Sequence, residues 1–431
     1  MSSLSSQPYK GTRDYYPVEK RIQNYIFSVW RKVSESFGYE EYGAPILEPL
    51  DIFAAKSGQE LVNDQTYMFV DRGGRTVAIR PEMTPSISRM VAAKRQELAY
   101  PARFYSIANF MRYERPQRGR AREFWQLNVD IFGDDTVLAE AEIITMADTI
   151  MKEFGAKPND YVIKVNNRKL INFMMAQYLG LDAIQAQLMI KLLDRKDKIR
   201  KQNFMDQAKE IFDDNASDGL KKLSDLLKAS CMADLPTEIQ DSSIIHEIQD
   251  LFTLLERAGV GSLVFDITLM RGFDYYTGMV FEVFDTDPKN NRALFGGGRY
   301  DGLVGLFGAE PISAVGLAPG GIMTEIFLEV HNLIPNLRSN TKIYVAAMGD
   351  LTREATKLAN ELRKHDINTE LDTTDRKPGR QIKVAINKGI QYILFIGDDE
   401  IKSGKYSLKD IDNSKEYQLG FDEIIKLLKE K

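Results

Sequence analysis

The chain has 431 residues, 43% of them hydrophobic and 28% charged, with a formal charge of −5 at neutral pH. That length exceeds one ordinary core, so two or three domains are expected, and the mild acidity excludes indiscriminate binding to nucleic acid, leaving local basic patches to meet any polyanion. One cysteine, Cys231, and three histidines, His246, His331 and His365, exclude a disulfide framework and a Cys/His zinc site.

The polar, Ser-rich residues 1 to 8 read as unstructured. No apolar core of signal-peptide length occurs near the N-terminus and no 18-residue apolar run anywhere, so no membrane segment and a cytoplasmic location are expected. From Pro17, the spacing of Ile22, Tyr25, Ile26, Trp30, Val33 and Phe37 predicts an amphipathic helix that stops at Gly38. Pro45 and Pro49 confine "YGAPILEPLDIF" to an edge or irregular strand. "TYMFVDRGGRTVAIRP" predicts a hairpin turning at Gly73-Gly74, and "TPSISRMVAAKRQ" a helix.

Two alternating aromatic runs, "ARFYSIANFMRYE" and "REFWQLNVDIFG", flank "RPQRGRA" and predict a long hairpin whose loop carries charge. Arg112, Arg115, Arg118, Arg120 and Arg122 crowd into it, interleaved with Glu114, Phe124, Trp125 and Gln126. Arginine forks take phosphate oxygens and an aromatic face stacks on a base, so the mixture suits a nucleotide; a solvated turn is the other reading. "TVLAEAEIITMADTIMKEFG" predicts a helix closed by Gly155.

Residues 170–258 change character: helical, rich in Met, Lys and Asp, an inserted helical domain. Strands resume with "SLVFDITLMRGFDYYTGMVFEVFD", where Arg271, Asp274, Tyr275 and Tyr276 occupy a turn. The glycines of "FGGGRYDGLVGLFG" match neither phosphate-loop pattern, and "ISAVGLAPGGIMTEIFLEVH" predicts a strand running into a helix. After "NLIPNLRSNT", read as a linker, the last ninety residues alternate β, α, β, α, β and a final helix, a small α/β domain. Its run "DRKPGRQIKVAINKG" carries Arg376, Lys377 and Arg380 without an acid among its basic positions; a polyanion contact and a solvated face are both open.

Taken in this order, the segments resemble histidyl-tRNA synthetase, a class II aminoacyl-tRNA synthetase, over nearly the whole chain. "RYERPQRGRAREFWQLNVDIFG" is similar to the family's motif 2, "RGFDYYTG" to its histidine signature and "GGGRYDGL" to the loop that follows. The resemblance implies an α+β catalytic domain on a mainly antiparallel sheet (1–169 and 259–331), the helical insertion (170–258) and a C-terminal α/β anticodon-binding domain (341–431). It implies a homodimer with the Pro45 segment near its interface. It also implies a ligase that joins histidine to tRNA(His) through histidyl-adenylate, using ATP and Mg2+.

By matching position, the resemblance gives Arg112 and Arg271 the α-phosphate, Glu114 the adenine, Phe124 its stacking face and Arg120 the outer phosphates. Glu82 and Thr84 would take the substrate ammonium and Gln126 its carboxylate. Asp130, where the family often has Glu, would read the imidazole with Tyr275 and Tyr276. Arg118 and Arg122 would reach the tRNA acceptor end, and Arg376, Lys377 and Arg380 the tRNA from the C-terminal domain. One departure stands out: Ile322 and Met323 occupy the places of the Glu-Arg of motif 3, whose arginine grips the γ-phosphate. The expectation is that Arg120, another loop arginine, magnesium and the first amides of the following helix hold that phosphate instead. A non-catalytic paralogue acting as a histidine- or tRNA-binding regulator is the alternative.

Overall fold

The computed structural model describes residues 4–54, 64–196, 199–269, 275–290, 292–374 and 376–430. They belong to two compact units, Met1–Ile334 and Pro335–Lys431. In the first, helix α1 (Pro17–Ser36) leads through strands β1 (Glu40–Glu41) and β2 (Leu47–Pro49) and one turn, α2 (Asp51–Ala54), to the hairpin β3 (Tyr67–Val70) and β4 (Thr76–Ile79). Helix α3 (Thr84–Ala93) precedes the long hairpin β5 (Ala102–Met111) and β6 (Glu123–Phe132), then α4 (Val137–Glu153) and β7 (Tyr161–Asn167). Six helices follow, α5 (Arg168–Phe173), α6 (Ala183–Asp194), α7 (Lys201–Phe212), α8 (Ala216–Lys228), α9 (Thr237–Gln240) and α10 (Ser243–Arg257). Strands β8 (Leu263–Phe265), β9 (Met279–Asp285), β10 (Ala293–Arg299) and β11 (Ala314–Leu317) and helix α11 (Gly321–Val330) complete the unit.

Eight strands make one sheet in the order β1-β5-β6-β11-β10-β9-β7-β8. Its interior pairs are antiparallel, and only the outer pairs β1–β5 and β7–β8 are parallel. On one face lies a core to which α1 gives Ile26, Val29, Trp30 and Val33 and α4 gives Ile143, Ile144, Ala147 and Ile150. These positions recur at helical spacing, and each large side chain fully buried there contributes roughly 1.5–3 kcal/mol. The opposite face carries the polar cavity described below.

The helical stretch has an apolar core of its own, with Leu170, Met189, Phe204 and Leu223. Helix α10 joins it to the sheet: Ile245 and Ile248 face the helical core, while Leu251 and Leu255, one or two turns on, lie in the sheet's core. A separate sheet, ordered β2-β4-β3, turns at Gly74 with φ +78° and has β2, the proline-bearing strand, at its edge. Ile46, Leu47, Met68, Phe69 and Val70 are exposed on or beside it.

The second unit runs β12 (Ile343–Ala347), α12 (Thr352–Lys364), β13 (Thr369–Leu371), α13 (Pro378–Asn387), β14 (Tyr392–Ile396), α14 (Asp398–Ser403), β15 (Lys405–Asp410), β16 (Lys415–Gly420) and α15 (Phe421–Lys429). Its sheet is β13-β12-β14-β15-β16, parallel on one side and antiparallel on the other. The hairpin β15–β16 was not among the expected elements. Its sequence, "KYSLKDIDNSKEYQLG", buries few side chains, so charge masks the alternation that marks a strand.

Candidate active site

Period-two alternation of β6 builds the floor of the cavity. Phe124, Gln126, Asn128 and Asp130 all point into it, whereas Leu127, Val129 and Ile131 point into the apolar core behind. The cavity measures about 350 Å3 and is lined further by Glu82 and Thr84, by Arg112, Glu114 and Arg120 from the hairpin, by Tyr275 and Tyr276, and by β9 to β11 and the start of α11. Five stretches far apart in sequence, 82–84, 112–130, 275–282, 293–300 and 316–323, thus converge on one hollow, the arrangement expected of a small-molecule site.

At the mouth, Arg112 is held by its Nε donating to the Pro81 carbonyl at 2.9 Å, and its guanidinium lies 5.1 Å from the centre of the Phe124 ring. Burial lowers its pKa, opposed by the nearby charges of Glu82 and Glu114; an arginine keeps its proton even so. Arg120 forms an ion pair with Glu114 at 3.1 Å, and its side chain is 51% exposed. Two residues expected to take different parts of a nucleotide therefore hold each other here. With the arginine half-exposed such a pair is worth about 1 kcal/mol, so Arg120 can be given up to a ligand.

Deeper in, Glu82 is buried and its Oε2 accepts from the Tyr275 hydroxyl at 3.2 Å. Gln126 donates from Nε2 to the Ala318 carbonyl at 3.2 Å, tying β6 to the segment before α11. Asp130 sits at the bottom, 4% exposed, with one oxygen accepting from the Tyr300 hydroxyl. Opposite it on β11 stands Gly316, and a side chain there would collide with the Asp130 carboxylate. Burial pushes the Asp130 carboxyl up to about 7, with the Tyr300 hydrogen bond pulling the other way.

This has a measurable consequence. A carboxyl whose folded-state pKa lies above its unfolded value of 3.8 binds a proton more readily when folded. The native state then loses relative stability as pH rises from about 4 to about 7 and the loss levels off above that. Asp130→Asn, which keeps an acceptor for Tyr300, removes the penalty. The ligand-free variant is expected to gain nothing over the wild type below about pH 4, between about one and two kcal/mol at pH 5 and about 4 at most at pH 8; thermal melts across that range check it.

Most of the sequence-derived site residues, Glu82, Thr84, Arg112, Glu114, Arg120, Phe124, Gln126, Asp130, Tyr275 and Tyr276, line this one cavity. Arg271 and its neighbour Asp274 lie outside the described residues. Arg118 is exposed on the loop. Arg122 corrects the sequence-based expectation of an outward RNA contact: it is 8% exposed, with Nη1 donating to the Tyr9 hydroxyl at 2.9 Å and Nε to the Glu114 carbonyl at 3.2 Å. Its guanidinium covers the Tyr113 ring at 3.9 Å, and its amide donates to the Gly11 carbonyl at 2.7 Å. These partners make it an anchor for the base of the loop, strapped down by residues 9 to 11.

Sequence reasoning missed Asn128, Glu282, Tyr300 and Gly316, which also line the cavity. Alternation along β6 was signal enough for Asn128, lying midway between Gln126 and Asp130. Nothing local distinguishes Glu282 within "VFEVFD". Met323 occupies the first turn of α11 and lines the cavity, 9% exposed. Its sulfur lies against Gly119 of the loop, where a Cβ would come within 2.5 Å of it; Gly119 also has φ +80°, a conformation that favours glycine.

In the second unit Arg376, Lys377 and Arg380 are exposed at the start of α13. Arg376 stands 3.9 Å from Asp372. Lys377 and Arg380 have no carboxylate partner among the described residues.

Comparison with known proteins fits this geometry. The family model for histidyl-tRNA synthetase matches residues 11–320, and that for an anticodon binding domain matches residues 342–431. The chain is 41% identical over 431 residues to a histidine–tRNA ligase of Leptospira biflexa, covering 99% of this chain and 98% of that one. It is 33% identical over 417 residues to a histidine–tRNA ligase of Haloarcula marismortui, covering 94% of each. Among solved structures, the histidyl-tRNA synthetase of Nostoc sp. PCC 7120 has a similar fold, with a TM-score of 0.84 at 23% identity, covering 99% of this chain and 100% of that one. No helix among the described residues is long and apolar enough to cross a membrane.

Proposed function

The chain belongs to the histidyl-tRNA synthetase family and so is an aminoacyl-tRNA ligase, and from that premise we propose how its residues divide the work. Histidine binds deepest, its ammonium beside Glu82 and Thr84, its carboxylate by Gln126 and its imidazole against Asp130, Tyr275 and Tyr276. ATP binds nearer the mouth, its base on Phe124 and beside Glu114, its α-phosphate on Arg112 and its outer phosphates toward Arg120. The single observation that carries this is the gathering of carboxylates, aromatics and arginines of those kinds around one cavity, acids at the bottom and cations at the lip.

The chemistry follows from charge. The histidine carboxylate attacks the α-phosphorus, the bond to the bridging oxygen breaks and pyrophosphate leaves. A hydroxyl of the terminal adenosine of tRNA(His) then attacks the acyl carbon and AMP leaves. Both partners in the first step are anions, so fixed cations lower its barrier without any proton-transferring histidine. Arg112, pinned through Pro81, is oriented before the substrate arrives. Arg271 is proposed to share the α-phosphate with it.

Magnesium would arrive with ATP as counter-ion to its phosphates. The residues fit it: Glu282 lines the cavity, and Mg2+ needs only one or two carboxylates besides the phosphates and water. Gln126, Asn128 and the aromatic walls limit water around the reacting atoms. A homodimer is proposed through the exposed apolar residues of the small sheet, Ile46, Leu47, Met68, Phe69 and Val70, on a scale of patch that commonly marks an interface. A cytoplasmic location is proposed with it.

The test is ATP–pyrophosphate exchange with each amino acid in turn, with histidine alone expected to drive it. A site whose polar groups are paired to one substrate rejects those that leave them unpaired. No exchange with any amino acid sinks the reading in favour of the non-catalytic paralogue, for which Met323 is the motivating observation. For the second unit, Arg376, Lys377 and Arg380 are proposed to meet tRNA phosphates. Replacing all three by Ala is expected to flatten the salt dependence of tRNA binding by up to about three units of log–log slope, measured by filter binding across salt concentrations.

A further inference from the structure

The place of the motif 3 arginine is closed. Met323 fills it with a thioether pressed on Gly119, leaving one cation fewer for the triphosphate. Another arginine stands at the same mouth. The register Gly298 opposite Gly316 and Gly297 opposite Leu317 runs the start of β10 alongside the segment leading into α11, and Ala318 accordingly donates its amide to the Gly296 carbonyl at 3.0 Å. Arg292 immediately precedes β10, and the next residues, Ala293 to Gly296, line the cavity.

From there the side chain of Arg292 crosses to the arginine loop and donates from Nη2 to the Gln117 side-chain oxygen at 3.0 Å. That partner is neutral, and no carboxylate among the described residues pairs with Arg292. Gln117 is fixed in turn, since it and Arg120 exchange backbone hydrogen bonds of 3.1 and 2.8 Å across the tip of the loop. A partly exposed guanidinium, already oriented and without a carboxylate partner among the described residues, thus lies at the loop tip, where Gly119 meets Met323.

We propose that Arg292 is a further substrate-binding residue, a phosphate-gripping cation that takes the β- and γ-phosphates of ATP in place of the missing motif 3 arginine. The inference rests on the assignment of ATP to this cavity. One N–H remains on Gln117 while the others turn to phosphate oxygens, a division that the five donors of a guanidinium allow. It adds a cation from outside the loop to the grip expected from Arg120.

The experiment compares wild type with Arg292→Gln, Arg292→Lys and Gln117→Ala. It reads KM for ATP and for histidine in exchange, and calorimetric affinities for pyrophosphate and for a non-hydrolysable sulfamoyl analogue of histidyl-adenylate, which has no outer phosphates. Arg292→Gln is expected to raise KM for ATP about tenfold and to weaken pyrophosphate by a similar factor, the scale of a charge-assisted contact. The analogue and the KM for histidine should not move, and Arg292→Lys should recover part of the loss. Gln117→Ala, which removes the partner that orients Arg292 but leaves its charge, should raise KM for ATP by a smaller factor than Arg292→Gln and leave the analogue value in place. Unchanged ATP and pyrophosphate binding in Arg292→Gln, with exchange intact, overturns this proposal and leaves the assignment of ATP standing. Equal weakening of the analogue also overturns it, because that is what loosening of the loop alone produces. A wild type that binds neither ATP nor the analogue removes the assignment and this proposal together.

Discussion

Replacing Arg112 by alanine is expected to slow histidine-dependent adenylate formation by on the order of 10²–10³-fold, the usual scale for one preorganised charge aimed at the transition state. KM for histidine should move far less, since the contacts proposed for its ammonium and imidazole lie deeper. The size of the effect comes from burial: water cannot replace the lost cation at once, and the guanidinium plane is set in advance by the bond from Nε to Pro81. Arg112→Lys should recover only part of the rate, because a point charge lacks the fork and the flat face toward Phe124. Pre-steady-state adenylate formation decides the matter, with melting curves run beside it because Arg112 also offsets the charge of Glu82. A near-normal rate in a folded variant would sink the assigned role.

Arg120→Ala should cost about 10²-fold or more in kcat/KM for ATP, for two reasons that act together. The variant loses the cation proposed for the outer phosphates, worth roughly 1.5–3 kcal/mol as a charged hydrogen-bonding group. It also leaves the Glu114 carboxylate, 13% exposed, without its ion-pair partner beside an incoming polyanion. The double variant Arg120→Ala with Glu114→Gln separates these terms: KM for ATP should recover in part if repulsion contributes. Met323→Arg is not expected to help the wild type, because the space its longer side chain needs is taken by Gly119 and the loop.

How far the sequence disclosed this site depended on the kind of signal. The β5–β6 hairpin was legible because ten-residue alternating runs flank a charged turn, and alternation alone places Phe124, Gln126 and Asp130 on one face. Helix α1 announced itself through its apolar stripe. The β15–β16 hairpin stayed hidden because charged and polar residues fill most of its strands, even at buried places such as Ser407 and Asp410, so no hydrophobic period is written into them. Which loop arginines face inward was equally invisible: Arg112 and Arg122 are bonded across the base of the hairpin, the amide of the first to the carbonyl of the second, yet one lines the cavity and the other is buried under Tyr9 and Tyr113. That difference is made by partners as near as Tyr113, nine positions from Arg122, and as far as Tyr9, 113 positions from it. The Glu114–Arg120 pair likewise could not be read from spacing, since both residues had been given separate tasks.

The order of strands also sets a schedule for the chain as it leaves the ribosome. Strand β6 pairs with β5 at once, but its other neighbour, β11, is encoded about 180 residues later, from Phe132 to Ala314. At roughly 5–20 residues per second this is on the order of ten to thirty-five seconds. For that interval β6 has an unsatisfied row of backbone donors and acceptors along the side that β11 will take, an edge prone to wrong pairing, while α1, already made, and α4, made directly after the hairpin, are at hand to cover its apolar face. The helices from α5 to α10, whose contacts are mostly local, can fold while the hairpin waits. The cavity is complete only when β11 sets Gly316 opposite Asp130, so a prematurely terminated product lacking β11 would carry the arginines, the β6 floor and most of the lining yet lack the wall beside Asp130.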